Sequence, residues 1–220
     1  MAGNKDIATM IYEDFSEKIL SLEYKPGMPF SENDVCEMYK ASRTPVRTAL
    51  QRLADKGLID LLPYQKTRVS KIDLEAVKQL IYSRAAIEDR VIRDFMTLDD
   101  PLLIEDVEHL IRKQQIVLAS EDFSLEQFYE LDAKMHRLWY EAAGALPVWE
   151  FFQESIHYTR LRKLDILEKS ALSRIIHEHS TILELIRKKD SADIYQLLHA
   201  HLYGGIERLA ANEELAGYIA

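Results

Sequence analysis

The sequence predicts a mostly α-helical protein of two domains, a winged helix-turn-helix over residues 1–72 and an antiparallel all-helical bundle over residues 73–220. Three observations predict it. Seven glycines and six prolines in 220 residues are few, while Leu, Ile, Glu, Lys and Ala abound, a composition that favours helix nearly throughout. Apolar residues recur at helical spacing along most of the chain, and only the stretch from Leu58 to Ile72, around Pro63, reads as strand and turn. The charge is also divided unevenly. Net charge is -9, yet through Ile72 eleven Lys/Arg face ten Asp/Glu, whereas the remainder carries seventeen against twenty-seven. A chain of this length with 47% hydrophobic residues can build two modest cores. A single cysteine, Cys36, excludes an internal disulfide framework, and Cys36 is expected as a small buried residue on the inner side of its helix. The opening residues show no secretory leader and no apolar run approaches the roughly 18 residues of a membrane span, so a soluble cytoplasmic protein without a membrane partner is expected.

Ile7, Met10, Ile11, Phe15, Ile19 and Leu22 mark the first helix, which ends before Lys25-Pro26-Gly27. Ser31 with Asp34 three residues later forms an acidic capping box for a short second helix, from Glu32 to about Lys40. Thr44 is the expected N-cap of the third, with Pro45 at its first position and Val46, Leu50, Leu53 and Ala54 as its apolar stripe before Gly57. Two short helices joined tightly describe a helix-turn-helix, and Leu58–Leu62 with Thr67–Ile72 read as the two strands of a wing. Between Lys40 and Lys71 eight basic residues are opposed only by Asp55 and Asp60. Arg43 and Arg47 at the start of the third helix can fork onto guanine or phosphate, and Ser42, Thr44 and the free N–H groups there suit a phosphate oxygen. Lys66 and Arg68 stand near the wing tip.

The stretch from Ile11 to Val69 resembles the DNA-binding domain of the GntR family. The residues that carry the likeness are Lys25-Pro26-Gly27, Ser31-Glu32, Ser42-Arg43-Thr44-Pro45-Val46-Arg47, Ala49-Leu50, Leu53, Gly57-Leu58-Ile59 and the segment from Pro63 to Val69. The resemblance implies that Asn33, Arg43, Thr44, Arg47 and the wing tip touch operator DNA. One departure is Lys66, where similar proteins usually hold a glycine.

From Asp73 the pattern predicts six helices, at about 73–97, 101–119, 124–143, 147–166, 171–188 and 191–212. Polar residues interrupt their apolar stripes at few places. The third of these helices presents Phe128, Leu131, Asp132, Met135, His136 and Trp139 on one face. Periodicity brings His179 inward on the fifth helix and His201 on the last, and leaves His177 and His199 outside. One aspartate and three imidazoles suit a borderline divalent cation such as Zn, Ni or Mn, and a shell with open positions would admit water or a carboxylate. The spacing Asp132-x3-His136, Glu178-His179, Asp190, His201 is similar to the FCD effector domain of the FadR subgroup, and the six-helix count resembles its VanR-like branch. That resemblance implies a metal on Asp132, His136, His179 and His201. Arg84 interrupts the stripe Val77, Leu80, Ile81, Glu88, Val91 and Phe95. The resemblance implies that it meets the carboxylate of an organic-acid effector; the alternative is an ion pair with Glu88 one turn away. Tyr158 and Arg162 on the fourth helix are further candidates for the effector pocket. The expectation is a homodimeric regulator, a repressor relieved by its ligand, and not an enzyme. The alternatives are a metal-dependent enzyme acting on a small carboxylate and a DNA binder whose metal is purely structural.

Overall fold

The computed structural model describes residues 6–61, 66–164, 169–210 and 212–220. The expected wing tip Pro63-Tyr64-Gln65, with Leu62, lies outside them. The described residues of Met1–Val77, Ile156–Asp165 and Arg208–Ala220 cluster as one compact unit, and those of Lys78–Ser155 and Ile166–Glu207 as a second.

In the first unit, α1 (Ile7–Leu20), α2 (Glu32–Tyr39) and α3 (Arg43–Asp55) pack around Ile11, Phe15, Ile19, Val35, Val46, Ala49 and Leu53, all essentially removed from solvent. The capping box of α2 forms as expected: the Asp34 amide donates to Ser31 Oγ (3.2 Å) and the Ser31 amide to Asp34 Oδ2 (2.8 Å). The N-cap of α3 is Ser42, two residues before the expected Thr44, so the helix takes in Arg43 and Thr44 as its first turn. Gly57, at φ +71°, turns the chain out of α3, and its carbonyl accepts the Ser70 hydroxyl at 2.6 Å. The wing is a three-stranded antiparallel sheet, not a two-stranded one: β1 (Pro29–Phe30), β2 (Ile59–Asp60) and β3 (Thr67–Val69) in the order β1-β3-β2. β1 carries no periodic signal because it is two residues long, and its proline, lacking an N–H, is tolerated on the edge.

The single helix expected over 147–166 is broken. α7 (Leu146–Gln153) buries Trp149 and Phe152 in the second unit, whereas α8 (Ile156–Leu164) belongs to the first and packs on α1. The apolar pattern runs through the break because both halves bury a face, each in its own core. Arg160, wholly buried on α8, donates to the Ser70 carbonyl (2.8 Å) and hydroxyl (3.2 Å), so the strand leaving the wing ends on this helix. The 3-10 turn Glu213–Tyr218 brings the tail alongside Ile72: the Ile72 amide donates to the Tyr218 carbonyl (2.9 Å) and the Ala220 amide to the Ile72 carbonyl (3.0 Å).

The second unit is a helical bundle of α4 (Leu74–Leu98), which starts in the first unit, with α5 (Pro101–Ala119), α6 (Leu125–Ala142), α7, α9 (Lys169–Lys188) and α10 (Ile194–Ala210). Asp100 caps α5 ahead of Pro101, and Ser124 caps α6. α5 packs on both α6 and α9. The core is large and aromatic, with Phe128, Met135, Trp139, Tyr140, Trp149 and Phe152 among its buried residues.

Candidate metal centre and nucleic-acid interface

Asp132 and His136 lie one turn apart on α6, His179 sits on α9 and His201 on α10. Their four ligand atoms lie within 4.8 Å of one another. His179 Nε2 and His136 Nε2 are each 3.3 Å from His201 Nε2, while Asp132 Oδ1 is 3.4 Å from His179 Nε2 and 3.9 Å from His136 Nε2. For metal–ligand bonds of about 2.0–2.1 Å, neighbouring corners of a tetrahedron stand about 3.3 Å apart. Imidazole nitrogens facing each other over that distance need a ring proton or a cation between them. The donor set and its spacing therefore fit a divalent metal site, as the periodicity predicts.

The opposite ring nitrogens are all engaged. His136 Nδ1 bonds Glu88 Oε1, His179 Nδ1 is 3.0 Å from Gln114 Oε1, and His201 Nδ1 is 2.8 Å from Glu178 Oε2. Burial keeps the His136 imidazole below its ordinary range, against the opposing pull of Glu88, and burial with the neighbouring His201 pushes His179 well below it. Neutral rings are the form that binds metal. Sequence reasoning missed Gln114 and Tyr140. Gln114 follows Val107 and Ile111 on the buried stripe of α5, so the signal that singled out the histidines, a polar residue inside an apolar period, was present there too.

Arg84 is buried and its Nε donates to Glu88 Oε2 at 2.9 Å, the one-turn pair that stood as the alternative to a ligand contact. Its guanidinium lies 5.1 Å from the Trp149 ring, which stacks at 6.3 Å on His136. Glu88 also accepts from the Tyr140 hydroxyl (3.3 Å). Burial alone would raise its carboxyl, but Arg84 and His136 outweigh this and hold it at about 2. Arg84 and the four candidate ligands thus belong to one unit; Tyr158 and Arg162, 5.9 Å from ring centroid to guanidinium, are on α8 in the other.

In the first unit Asn33, Ser42, Arg43, Thr44 and Arg47 are all exposed around the start of α3. Glu32 holds the arginines: its carboxylate is 2.8 Å from Arg47 Nε and 3.7 Å from Arg43 Nε, and Arg43 also donates to Asn33 Oδ1 (3.3 Å). Lys66 is exposed beside the wing, and Arg68 pairs with Asp60 at 2.9 Å. Arg52 faces inward instead, donating to Thr9 Oγ1 and lying 4.1 Å from the Tyr12 ring. Cys36 is partly buried against the core of this unit.

The sequence matches the gntR family of bacterial regulatory proteins over residues 7–69 and the FCD domain over residues 79–204. The chain belongs to the GntR family and carries an FCD domain. As a GntR-family member it is a DNA-binding transcriptional regulator, and the matching families and relatives are regulators, not enzymes. It is 29% identical over 194 residues to the HTH-type transcriptional repressor RspR of Escherichia coli K12, covering 87% of this chain and 84% of that one. It is 23% identical to the gluconate operon transcriptional repressor of Bacillus subtilis, over 83% and 76% of the two chains. Among solved structures, Escherichia coli McbR/YncC superposes with a TM-score of 0.63 at 18% identity, covering 94% of this chain and 99% of that one, a likeness of fold. Among the described residues no helix of this GntR-family chain is long and apolar enough to cross a membrane.

Proposed function

We propose that this chain is a homodimeric repressor whose operator affinity is set by a small organic acid bound at a metal centre. The observation that carries the reading is the convergence of Asp132 Oδ1 with the Nε2 atoms of His136, His179 and His201, each imidazole tied at its other nitrogen. Zn, Ni or Mn would suit that donor set, and a metal with an open position would supply a Lewis-acidic seat for a carboxylate. Arg84 beside it is the anchor for the acid. An acid on the Arg84 guanidinium would compete with Glu88 for its charge, and that competition would favour one state over another. Two kinds of relative support the sign and the ligand class: RspR is named a repressor, and the Bacillus subtilis protein is named for the operon of gluconate, itself a carboxylate.

On DNA, Arg43 and Arg47 would leave Glu32 for base edges or phosphate, with Asn33, Ser42 and Thr44 beside them and Lys66 and Arg68 on the wing. Two copies would match the halves of a pseudo-palindromic operator. Arg43→Ala and Arg47→Ala should each weaken operator binding by about 1–3 kcal/mol in a titration at fixed salt; unchanged affinity would remove α3 as the reading helix. Native mass spectrometry of the purified protein should show a dimer with one metal per chain, and His179→Ala should lose the metal while still binding operator.

A second reading is favoured by the closed Arg84–Glu88 pair: a metal that only braces the bundle. Operator binding measured with and without a panel of small carboxylates separates the two. The structural reading expects no acid to change it.

A further inference from the structure

A neutral imidazole carries its proton on one nitrogen only, and the group facing Nδ1 decides which. Glu88 and Glu178 turn carboxylate oxygens toward Nδ1 of His136 and His201, and a carboxylate oxygen accepts, which favours the proton on Nδ1 and the lone pair on Nε2. His179 is instructed by an amide, which can present either an acceptor or a donor. We propose that Gln114 is a positioning residue for the metal, its side-chain oxygen fixing His179 in the tautomer whose Nε2 can bind the ion. This inference rests on the metal reading above. Gln114 is completely buried on α5, with its oxygen 3.0 Å from His179 Nδ1. Its amide nitrogen has no hydrogen-bond partner among the described residues. A buried donor left unmatched is unfavourable, and no other hydrogen bond at the nitrogen end competes to turn the oxygen away from His179. Turned over, the NH₂ group would face Nδ1, the ring proton would move to Nε2, and His179 could no longer ligate.

Replacement of Gln114 tests this on the full-length protein by competition of Zn²⁺ against a chromophoric chelator. Gln114→Leu keeps the volume and removes the acceptor, and Zn²⁺ affinity should fall about 10–100-fold. Gln114→Glu restores an obligate acceptor, and affinity should return to at least the wild-type level. A residue that only fills space gives the reverse order, with leucine tolerated and a buried carboxylate harmful; that order, or equal affinity in all three proteins, overturns the proposal. Gln114→Met substitutes if the leucine variant does not fold. Long-range ¹H–¹⁵N correlation of the Zn²⁺-loaded wild type should place the His179 proton on Nδ1, and a proton on Nε2 would also overturn it. If wild-type protein takes up no Zn²⁺, Ni²⁺ or Mn²⁺, the metal reading itself fails and Gln114 falls with it; a wild type that loads and a leucine variant that loads equally tightly refute Gln114 alone.

Discussion

Glu88 carries three obligations at once, to Arg84, His136 and Tyr140, in a place no water reaches. Removing one partner of a buried ion pair costs about 3–5 kcal/mol, because the survivor's charge stays desolvated. Glu88→Gln should therefore lower the unfolding free energy in denaturant titrations by an amount in that range, and pairing it with Arg84→Met should recover part of the loss. Additive losses in the double variant would show that the two side chains do not depend on each other. The Arg84–Glu88 contact was legible in the sequence, since both sit on one stripe a single turn apart. The contact from Glu88 to His136 was not, because nothing local ties residues on two different helices. The same distinction separates the candidate metal ligands, which share their stripes by period, from Glu32, whose grip on Arg43 and Arg47 depends on how α2 meets α3.

At the scale of elements, α8 is the piece that periodicity misassigned, since one continuous apolar pattern serves two different cores. Its His157 accepts from the Asp73 amide through Nδ1 (3.1 Å) and lies 3.3 Å from the Arg160 guanidinium. Burial, and then the Arg160 charge, push this imidazole below its ordinary 6.5. A depressed pKa means the unfolded chain binds the proton more readily, so the stability tied to the neutral ring is complete above 6.5 and is lost as pH falls below it toward the folded value. Thermal unfolding of the metal-free protein should therefore occur at lower temperature at about pH 5.5 than at about pH 7.5, and His157→Gln should shrink that difference. An unchanged difference would place the acid sensitivity elsewhere. The wing shows the other limit of local signals: β2 and β3 were legible from turn residues and β-branched side chains, whereas β1 exists only because β3 offers it an edge.

For the molecule as a whole, charge alone shows a near-neutral stretch through Ile72 and an acidic remainder, a contrast that suits phosphate binding on one side and bundle solubility on the other. What composition could not reveal is that the first unit recruits α8 and the tail from far along the chain. Deleting residues 216–220 removes two backbone hydrogen bonds to Ile72, each worth about 0.5–1.5 kcal/mol. The expected result is faster hydrogen exchange at the Ile72 amide and a less stable DNA-binding unit; undiminished protection would make the tail dispensable. The tail contact also orders events during synthesis. Domains ordinarily fold from the N-terminus as they leave the ribosome, yet here the strand leaving the wing meets its last partners only after every helix of the bundle has been translated. A nascent or prematurely terminated chain would present α1–α3 and the wing before Ile72 has met its tail partners, so the N-terminal unit is completed only in molecules that also carry the FCD domain.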